Sequence, residues 1–124
     1  MFLLLNTLVE GLVGLLFLFY PGAPELVPGF ADGNGASYVL LMKMYGVAAL
    51  FLAVLSTVGY FQRHVRPVVL TITGALAGFH LGLAVVLTIY HPDQRAMLLH
   101  FLLGIFLTGR YLQRRRLSGR PAEL

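Results

Sequence analysis

Four long apolar stretches run along the chain, separated by more polar connections. The third stretch, Val68 to Tyr90, shows the pattern most clearly, because its 23 residues include no Asp, Glu, Lys or Arg and only one histidine, His80. An α-helix of this length crosses a bilayer. The other stretches cover residues 2–20, 39–61 and 96–112. The pattern predicts an all-α fold, with residues 1–124 forming a single domain of four transmembrane helices in a bundle.

The connections differ strongly in length. Residues 21–37 form a loop of 17 residues that is rich in proline and glycine and contains the turn sequence Asp32-Gly33-Asn34-Gly35. This is long for a connection within a helical bundle, so we expect it either to fold over the bundle as a lid or to be held by a partner. Two short turns join the remaining spans, and residues 113–124 form a basic tail.

Composition and charge indicate a membrane protein and its orientation. Hydrophobic residues make up 58% of the chain and charged residues 11%, more apolar surface than so small a soluble domain can bury. Seven of the nine basic residues lie in the turn after the second span or near the C-terminus: Arg63, Arg66, Arg110, Arg114, Arg115, Arg116 and Arg120. The positive-inside rule then predicts cytoplasmic N- and C-termini. We expect a multi-pass protein of a bacterial inner membrane, with the bilayer and not nucleic acid as its partner.

Two faces of the third span differ in character. Gly74, Gly78 and Gly82 recur every fourth residue, which is typical of a ridge where a neighbouring helix packs closely. His80 lies on the opposite face, together with small or polar residues. Since neither face suits lipid, we expect this helix to lie between other helices.

Ionisable residues within the spans are functional candidates, because burying charge in a bilayer is costly. They are Glu10, Lys43, His80 and His100, and Asn6 shares the face of Glu10. Glycines about one turn after three of them leave either room for a ligand or close helix contacts. We expect these faces to point into a common interior, including the Lys43 face with Gly46, Val47, Leu50, Val54 and Thr57. The helical rise puts His80 about 20 Å and Glu10 about 12 Å from the cytoplasmic end, and Lys43 and His100 about 6–7 Å from the outer end.

A purely structural interpretation is open for Lys43, His80, His100 and the glycine ridge, whereas a carboxyl group at the depth of Glu10 must be protonated, paired or hydrated. The Lys43 amine can extend to the outer interface. His80 can be a neutral imidazole bonded to Asn6, Thr73 or a backbone carbonyl, and His100 can be bonded to Asp93 or water. In the same interpretation, the glycine ridge of the third span serves only for helix packing.

Three kinds of site are compatible with these residue types. Two histidines can ligate a haem, but the depth difference of about 8 Å between His80 and His100 opposes one shared haem. Glutamate and two histidines are suitable metal ligands, but no H-x-x-x-H or E-x-x-H spacing supports such a site, so we assign no metal. A site for a quinone, a lipid head group or a proton-linked solute needs only a few polar groups around a gap, and we favour it.

These observations leave two functional hypotheses. The first is a small-ligand or proton-linked binding protein that uses Asn6, Glu10, Lys43, His80 and His100. The second is an accessory or structural subunit, whose glycine face and outer loop dock on a larger membrane complex, such as a redox complex, or on another copy of the chain. We assign no catalytic residue, because no loop combines a nucleophile with a base.

The layout from Leu4 to Arg116 resembles small bacterial four-helix membrane proteins of the DoxX-like kind. The resemblance rests on Pro21 closing the first helix, the long loop, the segment Lys43-Met44-Tyr45-Gly46, the pair Arg66-Pro67 before a glycine-rich helix, and a polar residue in the fourth helix. The basic position of such families is usually arginine, where this chain has Lys43. DoxX-like relatives include a subunit of a thiosulfate:quinone oxidoreductase, so the resemblance implies a quinone-linked role as an expectation.

Overall fold

The computed structural model describes residues 1–27, 30, 35–90 and 94–116. These residues form five helices: α1 (Phe2–Phe19), α2 (Ala23–Leu26), α3 (Ala36–Phe61), α4 (Arg66–Tyr90) and α5 (Gln94–Arg116). All but the short α2 are long and apolar enough to cross a membrane, judged by length and composition. The described part of the chain is therefore a four-helix bundle of the kind expected for a multi-pass membrane protein.

The helices begin and end close to the predicted limits, with two differences. Helix α3 starts at Ala36, within the predicted outer loop, and α5 continues to Arg116, within the predicted basic tail. Arginine, leucine and glutamine are good helix formers, so the last helix does not need to stop where its apolar stretch ends. Residues 117–124 lie outside the described part of the structure.

The bundle is built from two close pairs, α1 with α3 and α4 with α5. Glycines make both contacts tight. A Cβ atom at Gly14 would lie 2.7 Å from Leu50 Cγ and 3.0 Å from the Gly46 carbonyl oxygen, and one at Gly104 would lie 2.7 Å from Leu81 Cγ. The glycines that follow the ionisable residues therefore serve close helix packing and do not leave room for a ligand.

The predicted inner faces are buried on three of the four long helices. Helix α1 buries the face of Asn6 and Glu10, α4 the face of His80, and α5 the face of His100. Helix α3 differs, because Val47 and Val54 on the expected face are 60% and 58% exposed. Gly46 of that face is buried, and the rest of the buried stripe is Met42, Ala49, Leu52, Ala53, Ser56 and Gly59. Mostly small side chains line this stripe, which lets the α1 backbone approach.

The glycine ridge of α4 does not lie between helices of this chain, contrary to the prediction. Gly78 and Gly82 are exposed, and a Cβ at either position would meet no atom of the described residues within 4 Å. Only a Cβ at Gly74 would have a neighbour, with Tyr111 Cε2 at 3.3 Å. The spacing identified a small-residue face correctly, but the polar face of α4 is the one that turns inward, since lipid solvates small apolar residues better than an imidazole.

The described part of the predicted outer loop lies against the bundle. Ala23 of α2 is fully buried and forms a cluster with Phe17 and Met42, and Phe30 packs on the same cluster. The Tyr38 hydroxyl donates a hydrogen bond to the Phe30 carbonyl. These contacts favour the lid interpretation of the loop.

Candidate functional site

Polar side chains from each of the four long helices meet in the middle of the bundle. Asn6 of α1 connects two of them, because its Nδ2 donates to Ser56 Oγ at 2.8 Å and its Oδ1 lies 2.7 Å from His80 Nε2. His80 Nδ1 lies 2.9 Å from His100 Nδ1, and His100 Nε2 lies 3.3 Å from the Tyr45 hydroxyl. A continuous hydrogen-bonded chain thus runs from α3 through α1, α4 and α5 and back to α3.

The orientation of the Asn6 amide determines the direction of this chain. Since Asn6 Oδ1 can only accept, His80 Nε2 carries the hydrogen and Nδ1 of the neutral ring is an acceptor. His100 Nδ1 therefore donates to His80 Nδ1, which leaves His100 Nε2 to accept from the Tyr45 hydroxyl. Every polar atom along the chain has a suitable partner, and this is how a bilayer tolerates two buried histidines.

Glu10 lies beside this chain but is not part of it. Its side chain is almost completely buried, and its Oε1 lies 3.6 Å from His80 Nε2, beyond hydrogen-bonding distance. No described residue donates a hydrogen bond to the carboxyl group. A buried carboxyl group with unused hydrogen-bonding capacity is unfavourable unless something else satisfies it.

A cavity of about 570 Å³ borders this carboxyl group. Its walls are mainly leucine and valine side chains of α1, α3, α4 and α5, and the described outer-loop segment adds Leu26, Val27 and Phe30. Glu10, Tyr45 and His100 contribute polar groups to the walls. The volume is in the range of small-molecule sites, and an apolar cavity with few polar groups is their usual character. The walls include exposed Leu12 and Leu41, so the cavity borders the lipid-facing surface.

The two histidines are in contact, although the sequence separates them by about 8 Å in depth. Their rings stack at an interplanar angle of 26° with centroids 5.2 Å apart. His80 lies ten residues before the end of α4 and His100 six residues after the start of α5, which corresponds to about 15 Å and 9 Å from the outer ends. The difference of about 6 Å between these two depths is smaller than the predicted one, and helix tilt and side-chain length close it. The contact also opposes a shared haem, because it leaves no gap for a porphyrin between the rings.

The structure separates the predicted candidates into three groups. Glu10 and His100 line the cavity, whereas His80 and Asn6 lie behind them in the hydrogen-bonded chain. Lys43 belongs to neither group. Its Nζ donates to the Leu18 carbonyl oxygen at 2.6 Å, near the C-terminus of α1, where the helix dipole favours a cation. The bond of His80 to Asn6 matches the structural interpretation of that histidine.

Sequence reasoning missed two members of the site, Tyr45 and Ser56. Tyr45 enters the sequence analysis only as part of the segment Lys43-Met44-Tyr45-Gly46, yet its hydroxyl contacts His100 and its ring packs on Phe17 at a centroid distance of 5.6 Å. A signal for Ser56 was present, because it continues the small-residue stripe at Gly46, Ala49 and Ala53. A hydroxyl within such a stripe is a natural partner for a polar residue on the facing helix.

The fold and site together define a class: a small four-helix membrane bundle with a polar cluster beside an apolar cavity. Comparison of the chain with models of protein families, with characterised proteins and with solved structures finds no match. The chemistry of the site therefore has to be inferred from its own residues.

Proposed function

We propose that the protein binds a small lipophilic molecule inside the membrane and recognises its polar head group with Glu10, Tyr45 and His100. The observation that carries this proposal is the buried Glu10 carboxyl group, which lines a cavity of about 570 Å³ without a hydrogen-bond donor from the described residues. A bound head group supplies the missing partner. The molecule is a quinone, a lipid or another proton-linked solute.

The polar groups of the site suit a carbonyl or hydroxyl head group. A protonated Glu10 donates to a carbonyl oxygen, and an ionised one accepts from a hydroxyl, so either form of a quinone can be bound. The rings of Phe30 and Tyr45, with centroids 5.3 Å apart, offer aromatic surface on the outer side of the cavity. The leucine and valine walls cover a ring or an acyl chain. No reaction is assigned, since binding alone accounts for these groups.

The test is to identify what the purified protein retains. Protein is extracted from membranes in mild detergent, and lipophilic molecules are quantified by mass spectrometry. Leu87→Phe places a larger side chain in the cavity wall, and Ile89→Phe on the exposed side of the same helix is the matched control. We expect wild type and Ile89→Phe to retain a specific molecule, and Leu87→Phe and Glu10→Gln to bind it more weakly. No specific molecule in wild type, or equal retention in all four proteins, would overturn the proposal.

The orientation with cytoplasmic termini, in a bacterial inner membrane, is part of the proposal. It is supported by the hydrogen bond of 3.0 Å from Arg114 Nη1 to the Arg63 carbonyl oxygen, which joins the two basic segments at one end of the bundle. Met1 lines a small pocket together with Arg63 and Arg114 at that end. A reporter fused after Leu124 should behave as cytoplasmic and one inserted at Gly33 as external. The reverse labelling would refute the orientation.

The second candidate function is an accessory subunit of a larger membrane complex, or a homo-oligomer. The observation in its favour is the exposed face of Gly78 and Gly82, where a helix of another protein could approach closely. This role, like a relationship to DoxX-like proteins, remains a proposal. Gly78→Leu would then release a stoichiometric partner or dissociate an oligomer, while Ala75→Leu, also exposed, would not. A monodisperse monomer from native membranes, unchanged by Gly78→Leu, would remove this candidate.

A further inference from the structure

Glu10, His80 and His100 form a compact group of metal-ligating side chains. One nitrogen of each histidine and one Glu10 oxygen lie within 4.8 Å of one another, and all three residues are buried. Imidazole nitrogen and carboxylate oxygen together suit divalent transition metals such as Zn²⁺ and Fe²⁺. The three residues come from α1, α4 and α5, so the site would be made by the assembly of the bundle.

The outer nitrogens of both histidines already have partners of the kind that surround metal sites. A ligating histidine usually donates its second N–H to an oxygen acceptor, which orients the ring. His80 Nε2 donates to Asn6 Oδ1, and His100 Nε2 faces the Tyr45 oxygen at 3.3 Å. The two Nδ1 atoms are left facing each other at 2.9 Å, where one hydrogen lies between them.

A cation can replace this hydrogen, because the hydrogen can move to the other nitrogen of His100. His100 changes to its Nε2–H tautomer and donates to the Tyr45 oxygen, and the Tyr45 hydrogen turns towards the cavity. Both Nδ1 lone pairs then point at the cation. Glu10 ligates as a carboxylate and releases its proton if it carries one.

Side-chain movements have to bring the three ligand atoms together. Bonds of about 2.0–2.2 Å in a tetrahedral site place ligand atoms about 3.3 Å apart. The histidine nitrogens at 2.9 Å need to separate slightly. Glu10 Oε1 lies 3.6 Å from His80 Nε2, which stays bonded to Asn6, so the carboxylate has to turn from that nitrogen towards the Nδ1 atoms.

Charge and space are also suited to a cation. The carboxylate of Glu10 offsets one of the two positive charges of the cation within the membrane interior. The Lys43 amine is bonded to the Leu18 carbonyl oxygen. Glu10 and His100 line the cavity, so the coordination position that they leave open faces it. Three protein ligands with one open position are typical of metal sites that bind an exogenous group.

We propose that Glu10, His80 and His100 bind a divalent transition-metal cation whose open position faces the cavity. This inference deepens the proposed function. It rests on that function only for the step in which the head group of the bound molecule occupies the open position. Binding of the cation itself needs only the three side chains.

The test is a metal titration of protein purified through a histidine-free tag and stripped with a chelator. Co²⁺ binding is followed by visible absorption, and Zn²⁺ content by mass spectrometry. We expect about one equivalent of metal with the absorption of a site of low coordination number. Glu10→Gln and His100→Gln should each lower the affinity at least tenfold, whereas His64→Gln, at an exposed histidine, should leave it unchanged. No metal in wild type, or wild-type affinity in both ligand variants, would overturn the proposal.

Two further variants separate this inference from misfolding and from the proposed function. Tyr45→Phe removes only the hydroxyl that orients His100, so it should fold by circular dichroism yet bind Co²⁺ about tenfold more weakly. Unchanged Co²⁺ affinity in folded Tyr45→Phe would contradict the inferred orientation of His100. Leu87→Phe narrows the cavity but keeps all three ligands, so it should still bind the cation. Loss of cation binding in folded Leu87→Phe would contradict the assigned ligands. If wild type binds the cation but retains no lipophilic molecule, only the proposed function is refuted.

Discussion

The close contact between α4 and α5 at Gly104 brings His80 and His100 together, and Gly104→Ala tests it directly. A Cβ at this position would lie 2.7 Å from Leu81 Cγ and Cδ2 and 3.2 Å from the Leu81 backbone nitrogen. Leu81 Cγ is the branch point of its side chain and not a flexible end. The two helices must therefore move apart to accept a single methyl group.

A matched substitution isolates the magnitude of this effect. Inserting a methyl group into a well-packed core typically costs about 1–3 kcal/mol. Replacing glycine by alanine within a helix also stabilises by up to about 1 kcal/mol, which would mask part of the cost. Gly78 lies on an exposed face of α4, where a Cβ would meet no described atom within 4 Å. The difference between Gly104→Ala and Gly78→Ala cancels the helix term, so we expect Gly104→Ala to be less stable by about 1–3 kcal/mol.

The assay is reversible unfolding in mixed micelles by increasing SDS, followed by far-ultraviolet circular dichroism at low protein concentration. Low concentration limits any contribution from a partner at Gly78. Adding Leu81→Ala to Gly104→Ala should restore part of the loss, because it removes both close side-chain atoms. If Gly104→Ala and Gly78→Ala unfold at the same SDS fraction, the close approach of α4 and α5 is incorrect.

Three further substitutions test the surroundings of the site. Asn6→Leu removes its bonds to His80 and Ser56 and should lower the free energy of unfolding by about 1 kcal/mol, since interhelical hydrogen bonds in membranes average about 0.6 kcal/mol each; stability equal to wild type would contradict the hydrogen-bonded chain. Lys43→Met should leave retention of the lipophilic molecule unchanged by mass spectrometry, because Lys43 lies outside the cavity wall, and a marked loss would contradict its assignment. Phe30→Ala removes part of that wall and should weaken retention, whereas Phe61→Ala, at an exposed position, should not.

The spans and three of the inner faces could be predicted because each follows from a property of a single helix. A bilayer requires about 20 apolar residues in succession, and this requirement can be counted directly along the chain. It also penalises a carboxyl or imidazole group that faces lipid, so Glu10, His80 and His100 each identify the buried side of their own helix. None of these inferences needs to know which helices are neighbours.

The rotation of α3 and the position of the α4 glycines depend on pairs of helices and were not predictable in the same way. The sequence predicts that the Lys43 face of α3 turns inward, whereas the structure turns in a stripe of mostly small residues. The structure selects the small residues because Gly46 meets Gly14 of α1, with a Cβ at Gly46 only 3.2 Å from the Gly14 carbonyl oxygen. The Lys43 amine does not need the bundle interior, because it donates a hydrogen bond to the Leu18 carbonyl oxygen in the last turn of α1. On α4 the same type of glycine spacing turned outward, because the opposite face carries His80.

The convergence of Glu10, His80 and His100 shows why a spacing motif cannot reveal this type of site. Motifs such as H-x-x-x-H report two ligands on one helix, whereas here each of three helices contributes one candidate ligand. Depth along the membrane is the only sequence measure that relates such residues, and it carries the error of every helix end and tilt. The start of α5, two residues before the predicted one, accounts for about 3 Å of the predicted separation, and tilt and side-chain length account for the rest. For a bundle of this kind, a single ionisable residue on each of several helices is therefore the more useful signal, and their contacts follow from which helices pack closely at neighbouring glycines.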